Sequence, residues 1–115
     1  MGRSAAPVLA EMHEALTHIL AATHGKTLTE YRNDWLLRLA SQRALEIISE
    51  ASRHLPDDLI ATQPEIPWAQ IRGIGNILRH EYHKIADPII WAVITDHLPR
   101  LYQAVQTMQA QARIS

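Results

Sequence analysis

Apolar residues recur at intervals of three and four along most of the chain, which predicts an all-helical protein. Apolar positions from Leu9 to Leu20 indicate a first amphipathic helix, and Gly25 is a suitable residue to end it. Between Lys26 and Asn33 the chain is predicted to form one helical turn or a loop. No segment shows the strict alternation that is expected of a half-buried strand.

The second long helix has the clearest apolar stripe. Either Asn33 or Asp34 is a candidate N-cap, and the helix is predicted to extend to about His54. A connection rich in proline follows over residues 55–67. The stripe, which is typical of a helix that faces the inside of a bundle, consists of Leu37, Ala40, Ala44, Ile48, Ala51 and Leu55.

Two further helices complete the predicted fold. Pro67 suits the first turn of a helix that reaches about Ile85. Asp87 is then a candidate N-cap, with proline at the first position of the last helix. Pro99 lies inside that helix and predicts a kink near residues 95–98. Together the four helices predict one domain over the whole chain, an antiparallel up-and-down four-helix bundle with one extra short helical turn.

Composition narrows the classes of protein that fit this fold. A chain of 115 residues and 13.0 kDa has room for a single domain, and 47% apolar residues is typical of a globular one. The absence of cysteine excludes disulfides, thiolate zinc sites and cysteine nucleophiles. The formal charge of −1 excludes a broadly basic coat for nucleic acid, although not a local basic site. Without an apolar run of the roughly 20 residues that span a bilayer, or a signal peptide, a cytoplasmic location is expected.

Positive charge and histidine are concentrated on the predicted third helix. The segment 68–84 carries three Lys or Arg residues against one Glu. A histidine that titrates at about pH 6.5 can transfer the proton of a hydroxyl, and an arginine can hold a phosphate. The combination suits metal-free cleavage of a phosphodiester, whereas the alternative is a solvated polar helix face. A helical wheel groups on one face Arg72, Asn76, Arg79, His80 and His83.

Two glycines interrupt the same helix. Gly73 and Gly75 each cost about 1 kcal/mol relative to alanine in a helix interior. A helix that keeps both is predicted to need close approach of a ligand or of another backbone. Packing between helices of the same chain and contact with a second copy both meet that description. The second reading predicts a dimer contact on this helix.

The chain resembles the HepT-like proteins of the HEPN superfamily. Their pattern has an arginine, four residues of any kind and a histidine, with a tyrosine two positions further on. His80 and Tyr82 match the histidine and the tyrosine, whereas Gly75 stands where the arginine is usual and Asn76 follows it. The resemblance extends from about residue 15 to residue 108. The segments that carry it are Gly73–Tyr82, Ala44–Ala51, Pro64–Trp68 and Asp87–Leu98.

The resemblance implies a homodimeric ribonuclease toxin that cleaves RNA, such as tRNA, without a metal. It also implies a partner nucleotidyltransferase that neutralises the toxin by adding adenylyl groups to Tyr82. The alternative for Tyr82 is an aromatic residue at the edge of the core. With His80 as the acid/base group, we expect Arg79 to replace the missing arginine as phosphate ligand. Arg72 is a second phosphate ligand and Asn76 a polar helper.

Two glutamates on the second long helix are candidates for orienting these arginines. Glu50 is expected to do so across the bundle, whereas Glu46 is expected to pair with Arg43 or Arg53 within its own helix. His80 and His83 lack a third ligand at suitable spacing, so no metal and no other cofactor is expected.

Two other classes of function remain open at the level of sequence. One is a non-catalytic module that binds RNA or a nucleotide through the basic face, since the usual arginine is absent at Gly75. The other is a protein that serves only as partner and substrate of a nucleotidyltransferase through Tyr82. A nuclease assay separates the enzyme from both alternatives.

Overall fold

The computed structural model describes residues 5–81 and 86–114, and the regular structure in this part of the chain is entirely helical. The prediction of an all-helical protein is therefore confirmed, while the closed four-helix arrangement and the dimer remain predictions. Tyr82, His83 and Ile85 lie outside the described residues. The helices are α1 (Ala5–Thr23), α2 (Leu28–Arg32), α3 (Trp35–Ser52), α4 (Asp57–Ile60), α5 (Trp68–Glu81), α6 (Asp87–Ala92) and α7 (Leu98–Ile114).

Short-range signals set the ends of the first helices. Gly25 has a φ of 75°, the left-handed conformation in which a chain commonly leaves a helix. Thr27 and Glu30 form a reciprocal capping box at α2, where hydrogen bonds to the backbone and side chain of Thr27 lower the pKa of Glu30. The Asp34 carboxylate accepts a hydrogen bond of 3.0 Å from the backbone N–H of Leu37. Of the two candidate caps for α3, the structure selects Asp34.

Two details differ from the sequence prediction. The connection over residues 55–67 contains the short helix α4, which starts after Pro56 and has two aspartates in its first turn. Asp87 is not the N-cap of α6, because Ala86 holds that position without a side-chain hydrogen bond and Asp87 lies in the first turn. The Asp87 carboxylate is instead 3.8 Å from the guanidinium of Arg38.

After α6 the helical geometry of the chain changes before Pro99, close to the predicted kink. Residues Val93–His97 form a π-helical segment between α6 and α7, and the backbone N–H of Leu98 bonds to the carbonyl of Val93. Proline lacks an N–H and its ring crowds the carbonyl four residues earlier. A π-helical turn shifts the hydrogen-bond register, and here it lies immediately before the proline.

The core lies where α1 packs against α3 and α7, and α3 also packs against α5. Tyr31 of α2 is fully buried at a ring distance of 5.1 Å from Trp91, and burial raises its pKa to about 12. Within residues 5–81 and 86–114, no helix is long and apolar enough to cross a membrane. The largest fully buried side chains besides Tyr31 are Leu9, Met12, Leu16, Leu45, Ile48, Leu78, Ile90, Ile94, Leu98, Leu101 and Met108.

Candidate functional site

The packing of α5 on α3 depends on Gly75. A Cβ atom at this position would lie 2.7 Å from Oγ and 2.8 Å from Cβ of Ser49. The Ser49 hydroxyl donates a hydrogen bond of 2.9 Å to the carbonyl of Arg72 and accepts one of 3.1 Å from the Gly75 N–H. Gly75 therefore serves the close packing of two helices within one chain. The position at which the family usually has an arginine faces α3 in this protein and has no room for a side chain.

Gly73, unlike Gly75, is not crowded by another of the described helices. A Cβ atom built there has nothing within 4 Å among the described residues. The exposed Asn76 and His80 and the 43% exposed Ile77 lie on the same side of the helix. We call these four residues, Gly73, Asn76, Ile77 and His80, the outer face of α5. Within the described part of the chain, no hydrogen bond or ion pair engages the side chains of Asn76 and His80.

Arg79 lies at the border between the outer face and α3. Its Nη1 atom is 3.9 Å from Oε2 of Glu50, and Oε1 of the same carboxylate is 3.4 Å from Nε2 of His54. All three side chains are about half exposed, so the pair with Glu50 adds little stability. It can nevertheless restrain the guanidinium while leaving it accessible. Glu46 pairs with Arg43 at 3.1 Å, the alternative that its position in the same helix favoured.

Arg72 points towards α3 and not along the outer face. Its Nε atom donates to the carbonyl of Ser52 at 3.3 Å. The helical wheel placed Arg72, Asn76, Arg79 and His80 on a single face, and this prediction is wrong. Contact with the end of α3 draws both arginines to one side, whereas Asn76 and His80 project outwards.

Sequence reasoning missed two residues at the end of α3. Arg53 donates from Nε to the carbonyl of Arg72 at 3.3 Å, and His54 contacts Glu50 as described above. The sequence offered one signal for Arg53, because it lies four residues after Ser49 and so shares the edge of α3 that meets α5. Glu50, His54 and Arg79 contribute to the lining of a small cleft of about 200 Å³. The described residues contain no group of three His, Asp or Glu that could hold a metal ion.

A histidine, an amide and an arginine are thus exposed on one helix, and these are groups that can act on a phosphodiester without a metal. The profile of the family described as Ribonuclease HepT-like matches residues 12–108. The chain belongs to this HepT-like family, as its motifs indicated.

Curated relatives support the same assignment. The protein named "Putative RNase MJ1380" from Methanocaldococcus jannaschii is 32% identical over 98 residues, which cover 85% of this chain and 90% of the relative. "Probable ribonuclease HepT" from Thermococcus cleftensis is 32% identical over 101 residues, which cover 88% of this chain and 92% of the relative. No solved structure gives a significant match.

Proposed function

We propose that the protein is a ribonuclease toxin that cleaves RNA at the outer face of α5. The observation that carries this proposal is the arrangement of His80 and Arg79. The imidazole of His80 is exposed, and the preceding guanidinium is held beside Glu50. Membership of a ribonuclease family supports the choice of RNA as substrate.

In the proposed reaction the 2′-hydroxyl of the RNA attacks the neighbouring phosphorus and displaces the 5′-oxygen. The hydroxyl loses its proton, the leaving oxygen gains one, and a 2′,3′-cyclic phosphate remains on the first product. His80 transfers a proton in this step, since imidazole can act as base or acid near neutral pH. Arg79 holds the non-bridging oxygens and offsets the charge that develops on them. Asn76, on the outer face, offers an amide for a further hydrogen bond.

The outer face also suits contact with a second copy of the chain. Gly73 leaves open space beside the exposed Ile77, so another helix can approach closely there. A homodimer across this face would bring two copies of His80 towards one RNA, one for each proton transfer. Gly75 plays no part in this contact, because Ser49 occupies its side.

The toxin role and the partner rest on the family resemblance. We propose that a nucleotidyltransferase, encoded next to this protein and present with it in the cytoplasm, neutralises it by adenylylating Tyr82. The added phosphate would place negative charge two residues from His80 and repel the substrate. Mass spectrometry of the chain co-expressed with that partner should find the adenylyl group on Tyr82 and lose it in Tyr82→Phe. A group attached elsewhere would contradict this assignment.

The cleavage of total tRNA by the purified protein without its partner tests the reaction. His80→Ala should lower the rate by about 10²- to 10⁴-fold, the range for a positioned acid/base group. Arg79→Ala should cost a similar amount, about 3–4 kcal/mol of transition-state stabilisation. Arg72→Ala should cost less because its guanidinium is directed to the end of α3. EDTA should not change the rate, and circular dichroism should show intact helices in every variant.

The non-catalytic binding module remains the second candidate, and Gly75 favours it. The usual arginine is missing there, and Ser49 leaves it no space. The same assay decides between the two candidates. If the native protein binds RNA but does not cleave it, the protein is a binding module and not an enzyme. If Arg79→Ala cleaves RNA at the native rate, the protein is an enzyme but Arg79 is not its phosphate ligand.

A further inference from the structure

Arg53 and Arg72 hold each other in place at the end of α3. The Arg53 Nε donates to the carbonyl of Arg72, and the Arg72 Nε donates to the carbonyl of Ser52, both at 3.3 Å. Arg53 is thus restrained by the backbone of Arg72, and Arg72 by the backbone of the residue that precedes Arg53. We call this pair the arginine clamp.

Among the described residues, the arginine clamp has no carboxylate partner. Arg38, Arg43 and Arg79 each lie near an Asp or Glu, whereas neither arginine of the clamp forms an ion pair within the described residues. Only the Nε atom of each guanidinium is engaged there, so the two Nη groups of each remain available as donors. Both hydrogen bonds lie at the contact between the end of α3 and α5, so an anion that binds at this contact would be attracted by two positive charges.

A phosphate is the anion that fits these donors. Guanidinium groups bind phosphate oxygens through paired N–H groups, and prior fixation reduces the side-chain entropy that binding removes. Along α5, Arg72 precedes Arg79 by seven residues, a distance of roughly 10 Å at the rise of an α-helix. Arg72 bonds to the carbonyl of Ser52 whereas Arg79 lies beside the carboxylate of Glu50, so the two guanidiniums are directed to different positions on α3 and not to one common point. This separation suits two phosphates of one extended chain.

We propose that the arginine clamp binds a backbone phosphate of the RNA next to the one that is cleaved. The inference rests on the proposed function for its substrate class and adds Arg53 as a binding residue. The clamp positions the RNA and takes no part in the bond-breaking step. The protein should therefore favour RNA chains over mononucleotides, since only a chain reaches the clamp and the outer face together.

Binding of a short 2′-O-methyl oligonucleotide tests the clamp without cleavage. Affinity is measured by fluorescence anisotropy over a range of KCl concentrations for the native protein, Arg53→Ala, Arg53→Lys and Arg32→Ala. Arg53→Ala should weaken binding by roughly threefold or more and reduce the magnitude of the salt slope by about 0.7–1, the loss of one phosphate contact. Arg53→Lys should recover part of the salt slope because it keeps the charge. Arg32→Ala removes the same charge from an exposed position on α2 and should leave affinity and slope unchanged.

The kinetic readout separates positioning from chemistry. Arg53→Ala should raise KM for RNA and leave turnover at saturating RNA within about twofold of the native rate. An unchanged salt slope in Arg53→Ala, or equally tight binding of uridine monophosphate and the oligonucleotide, would overturn the clamp. Native protein that binds the oligonucleotide with the expected slopes but cleaves no RNA would overturn the proposed function and leave the clamp standing. Native protein that binds no oligonucleotide would overturn the clamp.

Discussion

The inner and outer sides of α5 use the same residue type for opposite purposes. Gly75 lets α3 approach so closely that the Ser49 hydroxyl bonds to the backbone of α5. Gly73, two residues earlier, borders open space. The inner glycine is thus needed for the fold of the chain, whereas the outer one leaves room for something that is not part of it. A glycine-rich helix motif can therefore hold, two residues apart, one glycine that the packing requires and one that it does not.

Alanine at each of the two glycines gives the largest expected contrast in stability. Gly75→Ala should lower the free energy of unfolding by about 1–3 kcal/mol, since it overpacks the contact with Ser49. Gly73→Ala should raise it by up to about 1 kcal/mol, because alanine favours the helix and meets no atom. Urea unfolding followed by circular dichroism measures both values.

The double variant Ser49→Gly with Gly75→Ala is the control for this contrast. With the serine side chain removed, the alanine should no longer destabilise the protein relative to Ser49→Gly alone. If both alanine variants shift stability in the same direction, the two sides of α5 do not differ as described.

A larger side chain at Gly73 tests whether the outer face forms the dimer contact. Gly73→Leu should leave the helical content intact and convert a dimer of about twice 13.0 kDa into a monomer in light scattering. Thr107→Leu, at an exposed position on α7, is a control that should remain dimeric. A native protein that is already monomeric would contradict the dimer across this face.

The smallest effect, a change in cleavage rate, is expected for Glu50, which contacts Arg79 at the border between the two sides of α5. Glu50→Gln keeps the shape of the side chain but weakens its hold on Arg79, so the cleavage rate should fall by no more than about fivefold. Glu46→Gln is the matched control, because Glu46 pairs with Arg43 and not with Arg79. Equal loss in both variants would show that Glu50 has no particular role in orienting Arg79.

The sequence predicted the helices well because apolar spacing and capping residues act locally. Gly25 and Asp34 mark helix ends in the structure as expected, and the irregular turn lies beside Pro99. The site was harder to predict, since a helical wheel shows which residues share a face and not which helix lies against it. Arg72 was consequently assigned to the same face as His80. The bond from Arg53 to the carbonyl of Arg72 depends on how α5 packs on α3, which the four-residue spacing of Ser49 and Arg53 indicates only once that packing is known.

The position of Gly75 shows both the value and the limit of the family motif. The motif identified α5 as the helix of interest and His80 as its histidine. It could not show that the usual arginine position faces Ser49 in this chain, because that depends on how closely α3 approaches. Arg79 is the exposed arginine nearest to His80 along α5, and its function as the substitute remains a prediction.

The identity of the RNA ends after cleavage tests the central claim most directly. An RNA oligonucleotide and its 2′-O-methyl counterpart are incubated with the native protein and with His80→Ala in the presence of EDTA, and the products are identified by mass spectrometry. We predict that the native protein cuts only the RNA, leaving a 2′,3′-cyclic phosphate and a 5′-hydroxyl, and that His80→Ala leaves it intact at the same protein concentration. Cleavage of the 2′-O-methyl counterpart, products with a 5′-phosphate, or equal cleavage by His80→Ala would contradict the account.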